Sequence, residues 1–98
     1  MGDGGTPDGF EWDPVKAATN LEKHGVPFDL AAKAFLDERR LDYEDDRLDY
    51  GEERRVVIGA IQGRLHTVVY VMRGESCRII SARIANARER FTYGHREI

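Results

Sequence analysis

The chain has 98 residues, of which 34% are charged and 41% hydrophobic, and its formal net charge at pH 7 is −3. This length suits one domain with a single core and excludes a second domain. The apolar runs, such as residues 67–72, are too short to cross a bilayer. One cysteine, Cys77, excludes an internal disulfide and a cysteine-rich zinc site, so we interpret it as a small apolar strand residue and expect a cytoplasmic protein.

The N-terminal segment, MGDGGTPDG, has neither a basic start nor an apolar stretch. We therefore expect residues 1–9 to be a flexible tail rather than a signal peptide, and residues 10–98 to form the domain. The aromatic stretch at residues 10–12 opens that domain as either a short strand or an anchor.

Two helices are predicted next. Asp13 is suited to the N-cap, Pro14 to the first helical position and Gly25 to the left-handed residue that ends a helix, which together predict a helix over residues 14–24. Apolar residues at helical spacing then predict a second short helix over residues 27–37.

The rest of the chain predicts a sheet and a final helix. Alternating apolar residues predict four strands, over residues 39–46, 55–61, 65–72 and 77–82. Acidic residues between positions 44 and 51 indicate a loop, while the two later connections look like hairpin turns. Residues 84–93 predict the last helix. The fold class is therefore α+β, with two N-terminal helices, a four-stranded antiparallel sheet and a C-terminal helix.

The charge is divided between the two halves of the sequence. Residues 1–53 carry 15 acidic against 6 basic side chains, whereas residues 54–98 carry 3 acidic against 9 basic side chains, all nine of them arginine. At physiological salt, charges interact over only about 8 Å, so a basic face can bind phosphate although the whole protein is acidic.

No metal or cofactor site is expected. His24, His66 and His95 lie on different predicted elements without the HxH or HExxH spacing of metal ligands. The glycines form neither a dinucleotide-binding nor a phosphate-loop motif, and no serine stands in a GxSxG setting.

Phosphodiester cleavage fits the residue types better. RNA cleavage needs a base for the 2′-hydroxyl, an acid for the leaving oxygen and cations for the phosphorane, and the planar fork of arginine suits the last role. Arg78 and Arg83 are an odd number of residues apart and should point to opposite faces of a strand, unless a bulge or the strand end intervenes. Each arginine is equally interpretable as a salt-bridge partner of the acidic first half.

Two further candidates have two interpretations each. His24 shares a helical stripe with Ala17 and Leu21, so it is either a general acid or base, since imidazoles titrate near neutral pH, or a packed, hydrogen-bonded histidine. Glu53 is either a general base or a surface carboxylate.

Three segments taken together resemble the BrnT family, the toxin half of a bacterial type II toxin–antitoxin pair. They are FEWDPVKAATNLEKHGVPF (10–28), DYGEERRVVIG (49–59) and RIISARIANARERFTY (78–93). The order and spacing of KHG, YGEER and ISAR carry the resemblance, which covers roughly residues 10–93.

The resemblance implies a fold like that of the RelE ribonuclease toxins and metal-independent RNA cleavage that stops translation. It also implies a BrnA-like ribbon-helix-helix antitoxin, through which alone the pair would contact operator DNA. Matching the family motifs gives a catalytic set of Lys23, His24, Glu53, Arg73, Arg83 and Arg88. We expect RNA to be bound by Arg73, Arg78, Arg83, Arg88 and Arg90.

A different class of function remains open. The protein could be a non-catalytic module that binds its partner and assists transcriptional repression, with the arginines holding acidic side chains of the antitoxin. Expression without the partner discriminates the two, because only a ribonuclease arrests growth and degrades RNA.

Overall fold

The computed structural model describes residues 7–45 and 53–96. Within them lie five strands: β1 (Gly9–Glu11), β2 (Leu41–Asp45), β3 (Arg54–Ile61), β4 (Arg64–Arg73) and β5 (Ser76–Ile84). The helices of this part are α1 (Pro14–His24), α2 (Phe28–Ala31), a 3₁₀ helix (Ala32–Leu36) and α3 (Ala87–His95). The α+β class is confirmed. No helix in these two described ranges is long and apolar enough to span a membrane.

The sheet differs from the predicted one. Its order is β1-β5-β4-β3-β2, and the four later strands are antiparallel as expected, but β1 adds a fifth strand that runs parallel to β5. The prediction of a four-stranded antiparallel sheet was therefore wrong. Aromatic packing explains the extra strand. The ring centroid of Phe10 lies 5.3 Å from that of Phe35, and this contact holds residues 9–11 against the edge of the sheet. Gly9, assigned to the tail, begins this strand.

The second N-terminal helix is shorter than predicted. After α1, which matches its prediction, α2 makes a single turn and passes into the 3₁₀ helix, which ends where Asp37 N–H donates to the Ala34 carbonyl (3.3 Å). The reason is close packing on β3: a Cβ on Gly59 would lie only 2.4 Å from the Ala34 carbonyl oxygen. The backbone of this segment follows the sheet surface instead of continuing a regular helix.

The other boundaries moved by a few residues. β2 covers Leu41–Asp45 of the strand predicted over residues 39–46, and residues 46–52, which hold most of the predicted acidic loop, lie outside the described residues. The final helix starts at Ala87, not at residue 84, because β5 continues to Ile84 and Asn86 caps the helix.

The sheet has two different faces. The face covered by α1, α2 and the 3₁₀ helix, here called the helix face, holds the larger core, which includes Phe28, Phe35, Val68 and Ile79. Burying each such side chain contributes roughly 1.5–3 kcal/mol. The opposite face carries a small cluster around Val56, Ile58 and Ala85, against which Tyr93 of α3 packs. We call it the groove face.

A β-bulge in β5 decides which residues reach each face. Val69 pairs with Ser81 and Tyr70 with Ile79, so Ile80 is an extra residue without a partner in β4. The bulge reverses the alternation, and Arg78 and Arg83 consequently lie on the same face, the groove face. Regular alternation would place these two side chains on opposite faces of the sheet. The bulge is the exception that was allowed for in the prediction from the sequence.

A buried asparagine fixes α1 to the sheet. The Asn20 side chain donates to the carbonyl of Ala82 (2.9 Å) and accepts from its N–H (3.1 Å). These two bonds supply hydrogen-bond partners to the backbone of β5 beyond the point where β1 ends. Asn20 also donates to the Val26 carbonyl (3.1 Å) and so holds the chain that leaves α1. These bonds compensate for the burial of a polar side chain that is only 6% exposed.

The close approach at Gly59 gives a stability prediction. We expect Gly59→Ala to lower the free energy of unfolding by about 1–3 kcal/mol, because the added methyl meets rigid backbone. Gly94→Ala is the matched control: it lies in α3 with open space around it, and should raise stability by about 0.5–1 kcal/mol. Chemical denaturation measures both, and equal stability of the two variants would contradict the packing argument.

Candidate functional site

A groove of about 400 Å³ opens on the groove face, between the sheet and α3. One wall is the start of α3, which contributes Asn86, Arg88, Glu89 and Thr92; the other is β2, with Tyr43, Glu44 and Asp45. The floor is formed by Val56, Ile58, Thr67, Val69 and Arg83. Arg83, Arg88 and the Glu89 carboxylate thus meet on the helix side of the groove, and Asp45 lies on its strand side.

The Glu89 carboxylate is the centre of a polar network under α3. Arg83 donates to both of its oxygens at 2.8 Å, and the Thr67 hydroxyl donates at 2.8 Å. Glu89 also accepts from the Asn86 backbone N–H (2.9 Å), while Asn86 Oδ1 accepts from the Glu89 N–H (2.8 Å). This capping box begins α3 and, through Arg83 and Thr67, fixes that beginning to β5 and β4.

This network keeps Glu89 ionised. Burial alone would raise the pKa of the carboxyl, but the hydrogen bonds from Arg83, the Asn86 N–H and Thr67 outweigh it and lower the pKa to about 2. A carboxylate so fully bonded is a poor proton acceptor. We assign it the role of orienting Arg83 and anchoring the helix.

The second attachment of α3 is at its C-terminal half. The Tyr93 hydroxyl donates to Asp37 Oδ2 (2.6 Å), which also accepts the Ala60 backbone N–H (2.8 Å). Burial would raise the pKa of Asp37, but these bonds and that from Arg39 lower it. Asp37 therefore supplies a hydrogen-bond partner to the backbone of β3 beyond the point where β2 ends. It also connects the C-terminal half of α3 to the sheet.

The catalytic set predicted from the family motifs is dispersed. Arg83 and Arg88 line the groove together. Arg83 makes the bidentate salt bridge with Glu89, whereas the Arg88 side chain is exposed at the groove and its guanidinium has no hydrogen bond within residues 7–45 and 53–96. Arg83 does form a salt bridge, as one of its two interpretations expected. Its partner, however, comes from the second half of the chain and not from the acidic first half.

Lys23 and His24 lie at the other side of the sheet. Both are exposed at the C-terminal end of α1, so the interpretation of His24 as a packed histidine was wrong. His24 lines a second pocket, together with Arg64 and His66 at the start of β4.

Glu53 and Arg73 lie at the far end of the sheet, Glu53 just before β3 and Arg73 at the last residue of β4. Glu53 is exposed and pairs with Arg55 at 3.4 Å. Arg73 and His66 are seven positions apart on β4, which is roughly 23 Å at 3.3 Å per residue. No single small site therefore contains all six predicted residues.

The remaining predicted RNA-binding arginines have structural contacts. Arg78 forms an ion pair with Glu11 of β1 at 3.2 Å, and Arg90 donates to the Ala85 carbonyl at 2.8 Å. Cys77 is buried in the core, as interpreted from the sequence, and burial with nearby carboxylates raises the pKa of its thiol to about 12. It is therefore unreactive.

Sequence reasoning missed several groove residues, chiefly Thr67, Asn86 and Glu89, and the carboxylates Glu44 and Asp45. One signal was available: asparagine followed three residues later by glutamate is a capping-box pattern. The contact of Glu89 with Arg83 had no local signal. Among the residues that the structure describes, no three His, Cys, Asp or Glu side chains are close enough to hold a metal ion.

The fold is a small α+β domain, and its groove holds Arg83 and Arg88 beside the Glu89 carboxylate. A comparison with protein families matches residues 12–89 to the ribonuclease toxin BrnT of type II toxin–antitoxin systems. The match covers about four fifths of the chain, and the chain belongs to the BrnT family. The recognition from its motifs is confirmed. A search of curated proteins returned no match.

The low pKa of Glu89 predicts a specific dependence of stability on pH. A carboxyl whose pKa falls from about 4.5 to about 2 on folding stabilises the fold above pH 4.5, and this contribution is lost as the pH falls through about 2. Glu89→Gln should therefore cost about 1–3 kcal/mol at pH 7, a range reduced for the solvent around Arg83, which is 35% exposed.

Denaturation from pH 7 to pH 2 tests this expectation. The difference between wild type and Glu89→Gln should shrink steadily over the acidic range. Glu22→Gln, at an exposed position of α1, is the control and should follow the wild type throughout. A Glu89→Gln difference independent of pH would mean that shape, not charge, matters at this position.

Proposed function

We propose that this chain is an active endoribonuclease toxin that cleaves RNA in the groove without a metal ion and thereby inhibits translation. The observation that carries the proposal is the meeting, in one groove, of the exposed Arg88 on α3 with Arg83 on β5. Family membership supports the same activity. We also propose that the fold is RelE-like.

The proposed reaction uses the 2′-hydroxyl of the RNA as its nucleophile. A base removes the 2′ proton, the 2′ oxygen attacks phosphorus, and the bond to the 5′ oxygen breaks as an acid protonates it. The products are a 2′,3′-cyclic phosphate and a 5′-hydroxyl. Arg88 would contact the phosphate directly, and the guanidinium of Arg83, held in place by Glu89, would add positive charge beside the developing phosphorane.

The base is assigned to neither Glu44 nor Asp45 of β2. Strand alternation puts Glu44 on the helix face with Asp42, which accepts from Tyr70 of the larger core. Asp45, on the groove side, is only 6% exposed. Glu89 is unsuited to this role because Arg83, Thr67 and Asn86 already occupy its oxygens.

The motif residues outside the groove remain proposed site residues. Lys23 and His24 lie at one end of the sheet and Glu53 and Arg73 at the other, so they would contact neighbouring nucleotides rather than the same phosphate. The family's place in type II systems implies an antitoxin partner. We propose a BrnA-like ribbon-helix-helix protein whose acidic segment covers Arg88, and contact with operator DNA only through that protein.

A non-catalytic binding module is the second candidate. The dispersal of the predicted catalytic residues and the engagement of Arg83 with Glu89 favour it. Expression in cells distinguishes the two: a ribonuclease toxin arrests growth and degrades RNA until its antitoxin is co-expressed. A chain that does neither, although folded and able to bind the antitoxin, is the binding module.

Metal independence is tested with purified protein and naked RNA. We expect cleavage to continue in excess EDTA and to leave 2′,3′-cyclic phosphate or its 3′-phosphate hydrolysis product, because protein side chains supply the acid, the base and the cation. End-group analysis of the fragments is the measurement. Products with 3′-hydroxyl ends that vanish with chelator would refute this mechanism.

Arg88 gives the sharpest test of the groove. Arg88→Gln should fold with unchanged stability, because the guanidinium is exposed, but lose roughly 100- to 1,000-fold in cleavage rate when one stabiliser of transition-state charge is removed. Single-turnover cleavage and thermal unfolding are measured on the same preparations. Lys16→Gln removes a charge at an exposed position of α1 and should change neither the cleavage rate nor the stability. Equal cleavage rates for the two variants would show that the reaction does not take place in the groove.

A further inference from the structure

The second pocket lies on the helix face, where α1 ends and β3 turns into β4. It has a volume of about 440 Å³ and four polar side chains at its walls: His24, Gln62, Arg64 and His66. Its apolar surface includes Val26 and Ile61 of the larger core. We call it the histidine pocket. It is separated from the groove by the thickness of the sheet.

Of the two ring nitrogens of His66, one has a hydrogen-bond partner in the described part of the chain and the other has none. The side chain is only 5% exposed, and its Nδ1 lies 2.8 Å from the Arg64 carbonyl oxygen. Since a carbonyl can only accept, Nδ1 carries the proton, and in the neutral ring Nε2 is then an acceptor. Nε2 has no hydrogen-bond partner among the residues that the structure describes. Among the described residues, His66 Nε2 is not one of the fully enclosed polar atoms that lack a partner, so it is open to the pocket and can accept from a ligand N–H.

The surroundings of Nε2 define the rest of that ligand. The apolar surface suits a flat, weakly polar ring, and the exposed Arg64 and His24 at the rim offer cationic or hydrogen-bonding contacts to an anionic group. A volume of about 440 Å³ lies within the range of roughly 300–1,000 Å³ for small-molecule sites. A flat ring with an N–H donor, joined to an anion, is a nucleotide.

We infer that the histidine pocket binds one nucleotide, with its base on the apolar surface donating an N–H to Nε2 of His66 and its phosphate at Arg64. All four RNA bases carry such an N–H or amino donor. The nucleotide can be a free monophosphate or one unit of a single RNA strand. The inference deepens the proposed function, in which His24 contacts a nucleotide, and rests on it where the source is RNA; binding on this face is nevertheless measurable whether or not the groove cleaves RNA.

The experiment titrates the full chain, by NMR, with each of the four 5′-mononucleotides, with inorganic phosphate and with a short single-stranded oligoribonucleotide. His66→Asn is the decisive variant, because asparagine keeps an N–H donor near the position of Nδ1 and lacks Nε2. Arg64→Gln tests the phosphate contact. Arg88→Gln, in the groove, tests whether the nucleotide binds there instead.

We expect at least one mononucleotide to shift the His66 ring signals and to bind roughly 5- to 10-fold more weakly to His66→Asn and to Arg64→Gln. Lys16→Gln, at an exposed position of α1, should bind each probe with an affinity within twofold of the wild type. If the oligonucleotide binds here and the monophosphates do not, the source is an RNA strand; binding of monophosphates assigns a free nucleotide as well. Phosphate binding as tightly as any nucleotide, wild-type affinity in folded His66→Asn, loss of binding only in Arg88→Gln, or no binding by any probe would each overturn the inference.

Discussion

The extra residue in β5, Ile80, is the constraint on which the groove depends. Cys77 and Ala82 both face the larger core, although residues five apart in a regular strand would point to opposite faces. The bulge absorbs one residue and thereby turns Arg83 towards α3 while Ala82 stays buried. Without it, the guanidinium would face the apolar core, and Glu89 would lose both of its strongest hydrogen bonds.

The helix that forms the groove is held by polar contacts more than by apolar burial. None of the residues of α3 is fully buried, and its polar contacts with the rest of the described chain include the Glu89 network, the bond from Tyr93 to Asp37 and the bond from Arg90 to the Ala85 carbonyl. The first two involve ionised carboxylates, so acid weakens the groove wall before it weakens the sheet, whose core is apolar. A binding wall attached in this way can adjust to a ligand, while the sheet beneath it stays rigid.

Local sequence signals were sufficient for the elements whose ends are specified by single residues. Asp13, Pro14 and Gly25 set both ends of α1, and the turn at Gln62-Gly63, where both residues have positive φ, joins β3 to β4 as predicted. The parallel strand β1 and the short α2 were not predictable in this way. Their form depends on contacts with residues far along the chain, Phe10 with Phe35 and Ala34 with Gly59.

The sequence by itself determined the family, because KHG, YGEER and ISAR are local motifs, and it determined the charge division that brought arginine to the C-terminal half. Tertiary structure alone decided which of those arginines share a groove. Regular strand alternation would put Arg78 and Arg83 on opposite faces, and only the pairing with β4 shows the bulge that puts both on the groove face. Of the two, Arg83 alone lines the groove, where it meets Arg88. The distribution of Lys23, His24, Glu53 and Arg73 was decided in the same way, since the position of a motif along the sheet follows from strand register, which no local motif encodes.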